Sequence, residues 1–205
     1  ITQRQWNELV VEKPFHFQRC GPDCPAENIN WFEALTYANL LSERDGISPC
    51  YELLGRKGKI GLNLTYKSVS FLGGDGYRLP YEDEWEIAAR AGTTTALYTG
   101  KMTIEGENNS PELDAVAWYG GNSGVTYEGA SYSSSWPQMQ IPSGFSGLHP
   151  VRLKVANAWG LFDMLGNVYE WCDLVIENDI ARRLGSRRRS IRGGSWQSDA
   201  RDVRL

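Results

Sequence analysis

The 16 residues from Asn157 to Cys172 constrain the fold of this chain more than any other stretch. They include two Trp, two further aromatic residues and two Gly, arranged without the period of a helix or a strand. Aromatic side chains favour burial, whereas Gly permits positive φ angles and close approach of the backbone. We therefore predict a buried ribbon that turns sharply, rather than a regular element.

The ribbon also carries two carboxylates, Asp163 and Glu170. Together with backbone carbonyl oxygens between them, these groups are ligands that a hard cation such as Ca²⁺ prefers. Taken alone, the residues favour the simpler alternative, which is a tightly turned core loop with two solvated carboxylates. A calcium site is the second interpretation.

Length and composition limit the classes of function. The 205 residues, with 8 Trp, 10 Tyr and 22 Gly, predict one loop-rich α+β domain that can bury a substantial core. The net charge of −4 gives no general electrostatic basis for binding nucleic acid. No apolar run approaches the roughly 18–20 residues of a membrane span, and no signal peptide is visible. Because the sequence begins at Ile1, we expect a preceding segment, and a signal or lipid anchor would lie there.

The cysteines leave two alternatives open. The sequence Cys20-Gly-Pro-Asp-Cys24 brackets a turn, so it predicts either a small disulfide loop in an oxidising compartment or two free thiols. A zinc site would need further thiol or imidazole ligands nearby, and the only histidines are His16 and His149. We therefore expect no zinc.

Regular elements are few. Capping residues and apolar spacing predict three helices: a short one after Thr2, one from Trp31 to Arg44 behind Asn30, and one from Glu82 to Arg90. Strand-like alternation is clearest from Asn63 to Val69. Residues 93–150 carry few helix or strand signals, and their Gly, Ser and Tyr content suits a binding loop or a solvated insertion.

Familiar catalytic patterns are absent. His149, the better placed histidine for a nucleophilic triad, precedes Pro150 in a loop, and no Gly-x-Ser-x-Gly elbow accompanies it. The carboxylates of residues 82–86 are more simply the solvated N-terminus of a helix. Gly73-Gly-Asp-Gly76 lacks the following helix and Lys of a phosphate-binding loop.

Four segments in the same order resemble the formylglycine-generating-enzyme (sulfatase-modifying-factor) family. They are Glu27-Asn-Ile-Asn-Trp-Phe-Glu-Ala34, the run from Tyr77 to Arg90, the ribbon from Asn157 to Cys172, and Ile191-Arg-Gly-Gly-Ser-Trp196. The resemblance runs along the whole chain and implies a single C-type-lectin-like domain over residues 1–205. This α+β fold has two main helices, small antiparallel sheets and much irregular loop. Family domains continue to a final Gly-Phe-Arg strand, and this sequence begins at Ile1. We therefore expect the natural protein to extend beyond both ends.

The resemblance breaks at the positions that carry the family's chemistry. In its oxidising enzymes, two cysteines beyond the Gly-Gly-Ser-aromatic motif work with copper. Counting from Trp196, the matching positions here are Ser198 and Val203, and neither supplies a thiolate. Relatives that use iron need a set of histidines that this chain also lacks. We therefore expect no enzyme activity and no copper or iron.

A non-catalytic branch of the family offers another function. Variable proteins of diversity-generating retroelements use this fold to display a hypervariable C-terminal region after the Arg-Gly-Gly-Ser-Trp motif. The resemblance implies ligand contacts at Trp196, Gln197, Ser198, Asp199, Arg201 and Asp202, with Arg187 and Arg189 nearby. These residues are alternatively the ordinary surface of an inactive relative.

The leading hypothesis is an exported domain, at the cell surface or in the periplasm, that binds an unknown protein or small molecule at its C-terminal surface. It would meet a membrane only through a lipid anchor on the preceding segment, and it would not bind nucleic acid. Two alternatives remain: an oxidase or related enzyme with relocated chemistry, and a regulatory interaction domain of a larger protein.

Calcium is implied by the same resemblance. The family's site matches Asp163, Gly166, Val168 and Glu170 here, and all four suit it chemically. The region that matches a second family site, residues 114–148, diverges and predicts no calcium.

Overall fold

The computed structural model describes residues 1–106, 108–137, 139–173 and 189–205. These residues form three α-helices and eight short strands, which makes the domain α+β, as predicted. The helices are α1 (Gln3–Leu9), α2 (Trp31–Arg44) and α3 (Glu82–Arg90). The strands are β1 (Tyr51–Leu54), β2 (Lys57–Lys59), β3 (Leu62–Thr65), β4 (Ser68–Phe71), β5 (Ser131–Tyr132), β6 (Phe145–Ser146), β7 (Glu170–Trp171) and β8 (Ile191–Arg192).

The helices begin where their capping residues predict. At α2, the Asn30 side chain accepts the Glu33 N–H at 3.1 Å, and Glu33 accepts the Asn30 N–H at 2.9 Å. Thr2 and Gln5 form the same reciprocal pair at α1. Each pair satisfies N–H groups that have no partner inside the helix. Both capping boxes are confirmed.

The sheets are small because each described strand pairs with one neighbour. The antiparallel pairs are β1–β4, β2–β3, β5–β6 and β7–β8. The predicted strand from Asn63 to Val69 is divided, since Thr65 pairs with Lys57 of β2 and Ser68 pairs with Leu54 of β1. Side-chain alternation continues across this break, so it could not show that the chain changes partner.

The ribbon lies in the main core. Leu165 and Cys172 are fully buried beside Trp85 of α3, Tyr119 and Val203. Two further clusters lie around α2, and in one of them Trp6 of α1 stacks on Tyr37 with ring centroids 5.1 Å apart. The prediction of a buried, turning ribbon is confirmed from Met164 to Asn167, whereas Trp159 is 59% exposed.

The cysteines divide into one bonded pair and two free thiols. Cys20 and Cys24 form a disulfide, while Cys50 and Cys172 are free and buried. The bond closes a short loop ahead of α2, in the segment that also places Phe17. In the described part of the chain, no helix has the length and apolar character needed to cross a membrane.

Candidate functional site

A cleft of about 1010 Å³ opens beside the Gly-Gly-Ser-Trp motif. It is lined by the loop that precedes α2, by the ribbon near Tyr169, and by Ser195, Trp196 and Gln197. The turn between β2 and β3 also contributes to the lining. Its volume lies at the upper end of the range for small-molecule pockets. Of the predicted ligand contacts, Trp196 and Gln197 line this cleft.

Trp196 is held as a fixed aromatic platform. Its ring contacts Phe17 edge-on, with centroids 5.2 Å apart, and stacks on Trp136, with centroids 5.6 Å apart. Its N–H donates to the Asn167 carbonyl at 2.9 Å, and its carbonyl accepts the Ser123 hydroxyl at 2.6 Å. Because both ring and backbone are fixed, Trp196 offers contact area at a small entropic cost.

Ser198 lies just beneath this surface. It is 7% exposed, and its Oγ accepts the Ser195 N–H at 3.0 Å. The hydroxyls of Tyr169 and Ser195 lie 3.0 Å and 3.1 Å from the same oxygen. Ser198 therefore joins the motif to the ribbon from inside the domain.

The remaining predicted contacts spread over several environments. Asp199 accepts the Asn108 side-chain amide at 3.2 Å, and Arg201 and Asp202 are exposed. Arg189 lies over the rings of Trp31 and Phe32, with its guanidinium carbon 4.4 Å and 4.3 Å from the two centroids. Arg187 falls outside the described residues. Val203, which matches the second reactive cysteine of the family's oxidising enzymes, is fully buried in the core.

Two carboxylates of the cleft were missed as site residues in the sequence. Glu27 and Glu33 both line it, although both belong to the motif around Trp31. The capping pattern assigned Glu33 to α2, and nothing in the local spacing marked Glu27. Their shared environment arises because the loop before α2 folds back toward Trp196.

The two carboxylates of the ribbon each accept a hydrogen bond and are candidate ligands for a cation. Glu170 accepts the Trp85 indole N–H at 2.6 Å, and Asp163 accepts the Arg152 N–H at 2.7 Å. Burial raises the pKa of both groups, and the charge of Asp163 adds to the rise at Glu170. Both acids are therefore desolvated, a setting in which a bound cation would favour their ionised forms.

Two backbone carbonyl oxygens of the ribbon, those of Gly166 and Val168, are further candidate ligands for a cation. None of the described residues donates a hydrogen bond to the carbonyl of Gly166 or Val168. No group of three or more His, Cys, Asp or Glu suited to a metal occurs in the described ranges. A cation here would therefore rely on two carboxylates together with backbone oxygens, as calcium sites commonly do.

His149 is not among the residues that line the cleft. Its ring stacks on Trp118 at 3.6 Å, and the Lys154 ammonium lies 3.6 Å from the centre of the Trp118 ring. Burial lowers the pKa of His149 to about 4, although a hydrogen bond to the Ser123 backbone opposes this shift. A neutral, stacked imidazole has a packing role here, consistent with the absence of a triad pattern.

Comparison with known proteins places this geometry in a family. A family model described as "Sulfatase-modifying factor enzyme 1-like domain" matches residues 1–205. The chaperone protein LppX of Paenibacillus barcinonensis is 32% identical over 178 residues, which are 84% of this chain and 59% of LppX. The inactive C-alpha-formylglycine-generating enzyme 2 of Mus musculus is 32% identical over 123 residues, which are 59% of this chain and 32% of that protein.

A solved structure agrees with this placement. Treponema denticola variable protein 1 superposes with a TM-score of 0.67 at 26% identity, covering 100% of this chain and 73% of that chain. The expected C-type-lectin-like fold is therefore confirmed. The chain spans 59% of LppX and 32% of the murine protein, so the activities of those whole proteins do not transfer directly. The chain belongs to the sulfatase-modifying-factor (formylglycine-generating-enzyme) family.

Proposed function

We propose that this domain binds a ligand without catalysing a reaction, and that the cleft beside Trp196 is its binding site. One observation carries the proposal: Trp196 and Gln197 line a large cleft, but no thiol stands beside it at the expected positions. The positions that match the two reactive cysteines of the family's oxidising enzymes hold Ser198 and Val203. An alcohol engaged in internal hydrogen bonds and a fully buried alkyl group supply no thiolate for copper.

The relatives support this proposal by analogy. One is named an inactive enzyme, another a variable protein and a third a chaperone. Fold alone does not assign function, so the argument rests on the residues of the cleft. Its fixed aromatic face and several polar groups are the features expected of a recognition site.

The absence of catalysis is tested with a cysteine-containing sulfatase peptide and copper. We expect no mass change of the peptide in the presence of this protein, while an active formylglycine-generating enzyme converts it in parallel. Copper-dependent conversion of the cysteine to an aldehyde would overturn the non-catalytic part of the proposal. Mass spectrometry of the peptide makes the measurement.

Binding is tested with a random 12-residue peptide library displayed on phage and selected on the immobilised domain. We expect the selected peptides to lose binding to Trp196→Ala and to keep it with Trp159→Ala. Trp159 is a matched control because it is an exposed tryptophan outside the cleft. If no selected peptide depends on Trp196, this cleft is not the binding site for such ligands.

We also propose that Asp163, Gly166, Val168 and Glu170 hold a structural Ca²⁺ ion. The desolvated carboxylates of Asp163 and Glu170 support it. Added Ca²⁺ at about 1 mM, in the range for extracellular calcium modules, should raise the melting temperature of the wild type but not of Asp163→Asn. Asparagine keeps an oxygen for the Arg152 N–H and tolerates the φ of 56° at this position. If added Ca²⁺ changed the melting temperatures of the two proteins equally, the proposed calcium site would be wrong.

Export from the cytoplasm is a third part of the proposal. The Cys20–Cys24 disulfide supports it, because such bonds persist in oxidising compartments. Protein isolated from its native cells and alkylated without reduction should show the two cysteines still linked. Alkylation of both thiols would contradict an oxidising location.

A further inference from the structure

The charged side chains of the cleft are unequally distributed. Among the described residues that line it, Glu27 and Glu33 are acidic and Lys13 is basic. No described arginine lines the cleft. The cleft is therefore a negatively charged region in which one lysine, on an exposed part of the rim, offsets one of two carboxylates.

Glu27 is held toward the cleft by the backbone rather than by a cationic side chain. Its Oε1 accepts the Phe17 N–H at 2.9 Å, and no described lysine or arginine forms an ion pair with it. Burial raises its pKa, while the N–H groups of Phe17 and His16 and the nearby His16 imidazole lower it. The carboxylate is thus partly desolvated, and its remaining lone pairs are available to a ligand.

Glu33 is a second carboxylate of the cleft lining and is more buried than Glu27. It is 2% exposed, and its oxygens accept the N–H groups of Asn30 at 2.9 Å and Leu64 at 3.3 Å. No described lysine or arginine pairs with this carboxylate either. A fixed charge in a low-dielectric wall attracts a cation more strongly than a solvated one does.

Aromatic surface lies next to these charges. Phe17 donates its N–H to Glu27 and packs its ring against Trp196, so a single residue connects the carboxylate with the aromatic platform. Tyr169 and Trp171 contribute further aromatic area to the lining. A carboxylate beside indole and phenol rings is suited to an ammonium or guanidinium group on an apolar stem, since both kinds of wall attract it.

We infer that the ligand of this cleft is a basic peptide segment whose Lys or Arg side chain is anchored between Glu27 and Trp196. This inference rests on the proposed binding function and names its ligand class. The volume favours a peptide segment over an isolated cation, because about 1010 Å³ far exceeds the size of one alkylammonium group. The amide side chains of the rim would then meet the peptide backbone.

The phage-displayed library provides the first measurement. Peptides that depend on Trp196 should be enriched in Lys and Arg relative to the unselected library. Trp196-dependent peptides without basic residues would overturn the inference while leaving the proposed binding function intact. A library without any Trp196-dependent peptide would instead contradict the proposed function, so the two failures are distinguishable.

A charge-matched pair of variants provides the second measurement. Glu27→Gln should weaken a selected basic peptide about tenfold, whereas Glu52→Gln, which removes an exposed charge outside the cleft, should change its affinity less than about twofold. Glutamine can still accept the Phe17 N–H, and an unchanged melting temperature would show that the fold is intact. Equal affinities of the two variants would overturn the role of Glu27.

Replacement of the basic side chain in the peptide, combined with Glu27→Gln in the protein, forms a double-mutant cycle. Citrulline in place of Arg, or norleucine in place of Lys, should weaken binding of the peptide to the wild type about tenfold. The same replacement should weaken its binding to Glu27→Gln only slightly. Additive losses would show that the two groups do not interact. If spermidine or arginine amide bound as tightly as the peptide, the cleft would be a site for a small cation. That result would overturn the inference that the ligand is a peptide segment.

Discussion

The ribbon from Asn157 to Cys172 and the C-terminal segment from Trp196 to Val203 lie side by side but are constrained differently. In the ribbon, Asn157 donates to the carbonyls of Ala88 and Ala89, and Asn167 exchanges hydrogen bonds with the backbone of His149. In the C-terminal segment the environment changes from one residue to the next: Gln197 is exposed and Ser198 is buried.

The difference lies in what a substitution must satisfy. The ribbon requires particular backbone conformations, with positive φ at Gly160, Asp163, Gly166 and Asn167. The C-terminal segment is fixed through the buried side chains of Ser198, Ala200 and Val203, whereas Gln197, Arg201 and Asp202 are exposed and have fewer packing constraints. A rigid ribbon beneath a partly unconstrained surface is a suitable arrangement for a recognition site.

The largest expected effect breaks the ribbon at Gly166. A Cβ there would lie 2.2 Å from the Trp118 carbonyl oxygen, and the φ of 74° adds backbone strain. Gly166→Ala should therefore destabilise the domain by about 4 kcal/mol or prevent folding. Gly160→Ala is the matched control: its φ is 78°, but no atom lies within 4 Å of a Cβ, so about 1 kcal/mol is expected. Urea unfolding measures both, and equal losses would show that the close approach is unimportant.

A pH-dependent effect comes from His149, which Asn167 of the ribbon holds. Its folded pKa of about 4 lies below the ~6.5 of an unfolded histidine, so the unfolded state takes up the proton first as pH falls. The stabilisation is complete above pH ~6.5 and is lost toward pH ~4. Between pH ~7 and ~5 the wild type should lose about 2 kcal/mol more than His149→Gln. Parallel pH profiles for the two proteins would contradict the buried, neutral imidazole.

Adjacent residues of the C-terminal segment give the smallest effects and the sharpest contrast. Ser198→Ala removes the acceptor of the buried Ser195 N–H and should cost about 1.5 kcal/mol of unfolding free energy. Gln197→Ala should change stability by less than about 0.5 kcal/mol and weaken binding of a selected peptide. If Gln197→Ala destabilised the domain as much as Ser198→Ala, the distinction between an exposed contact residue and a buried supporting residue would be wrong.

Sequence reasoning succeeded where the determining contacts are local. The caps at Thr2 and Asn30 involve partners three residues away, and the helices begin as predicted. It was less successful between Thr65 and Ser68, where one alternating run serves two different sheets. The disulfide also remained open, because spacing alone does not decide between a bond and two thiols.

By itself, the sequence determined the family, the α+β class, the caps of α1 and α2 and the turning character of the ribbon. All of these depend on residue types at fixed spacing. Only the tertiary structure decided which side chains share the cleft. Glu27 approaches Trp196 because Phe17 joins them across about 170 residues of chain, a long-range contact that no local pattern encodes. The tertiary structure also decided that Ser198 is buried beneath the surface and that Gln197 is exposed on it. Burial depends on all the residues that pack around a side chain, so neighbouring positions can differ.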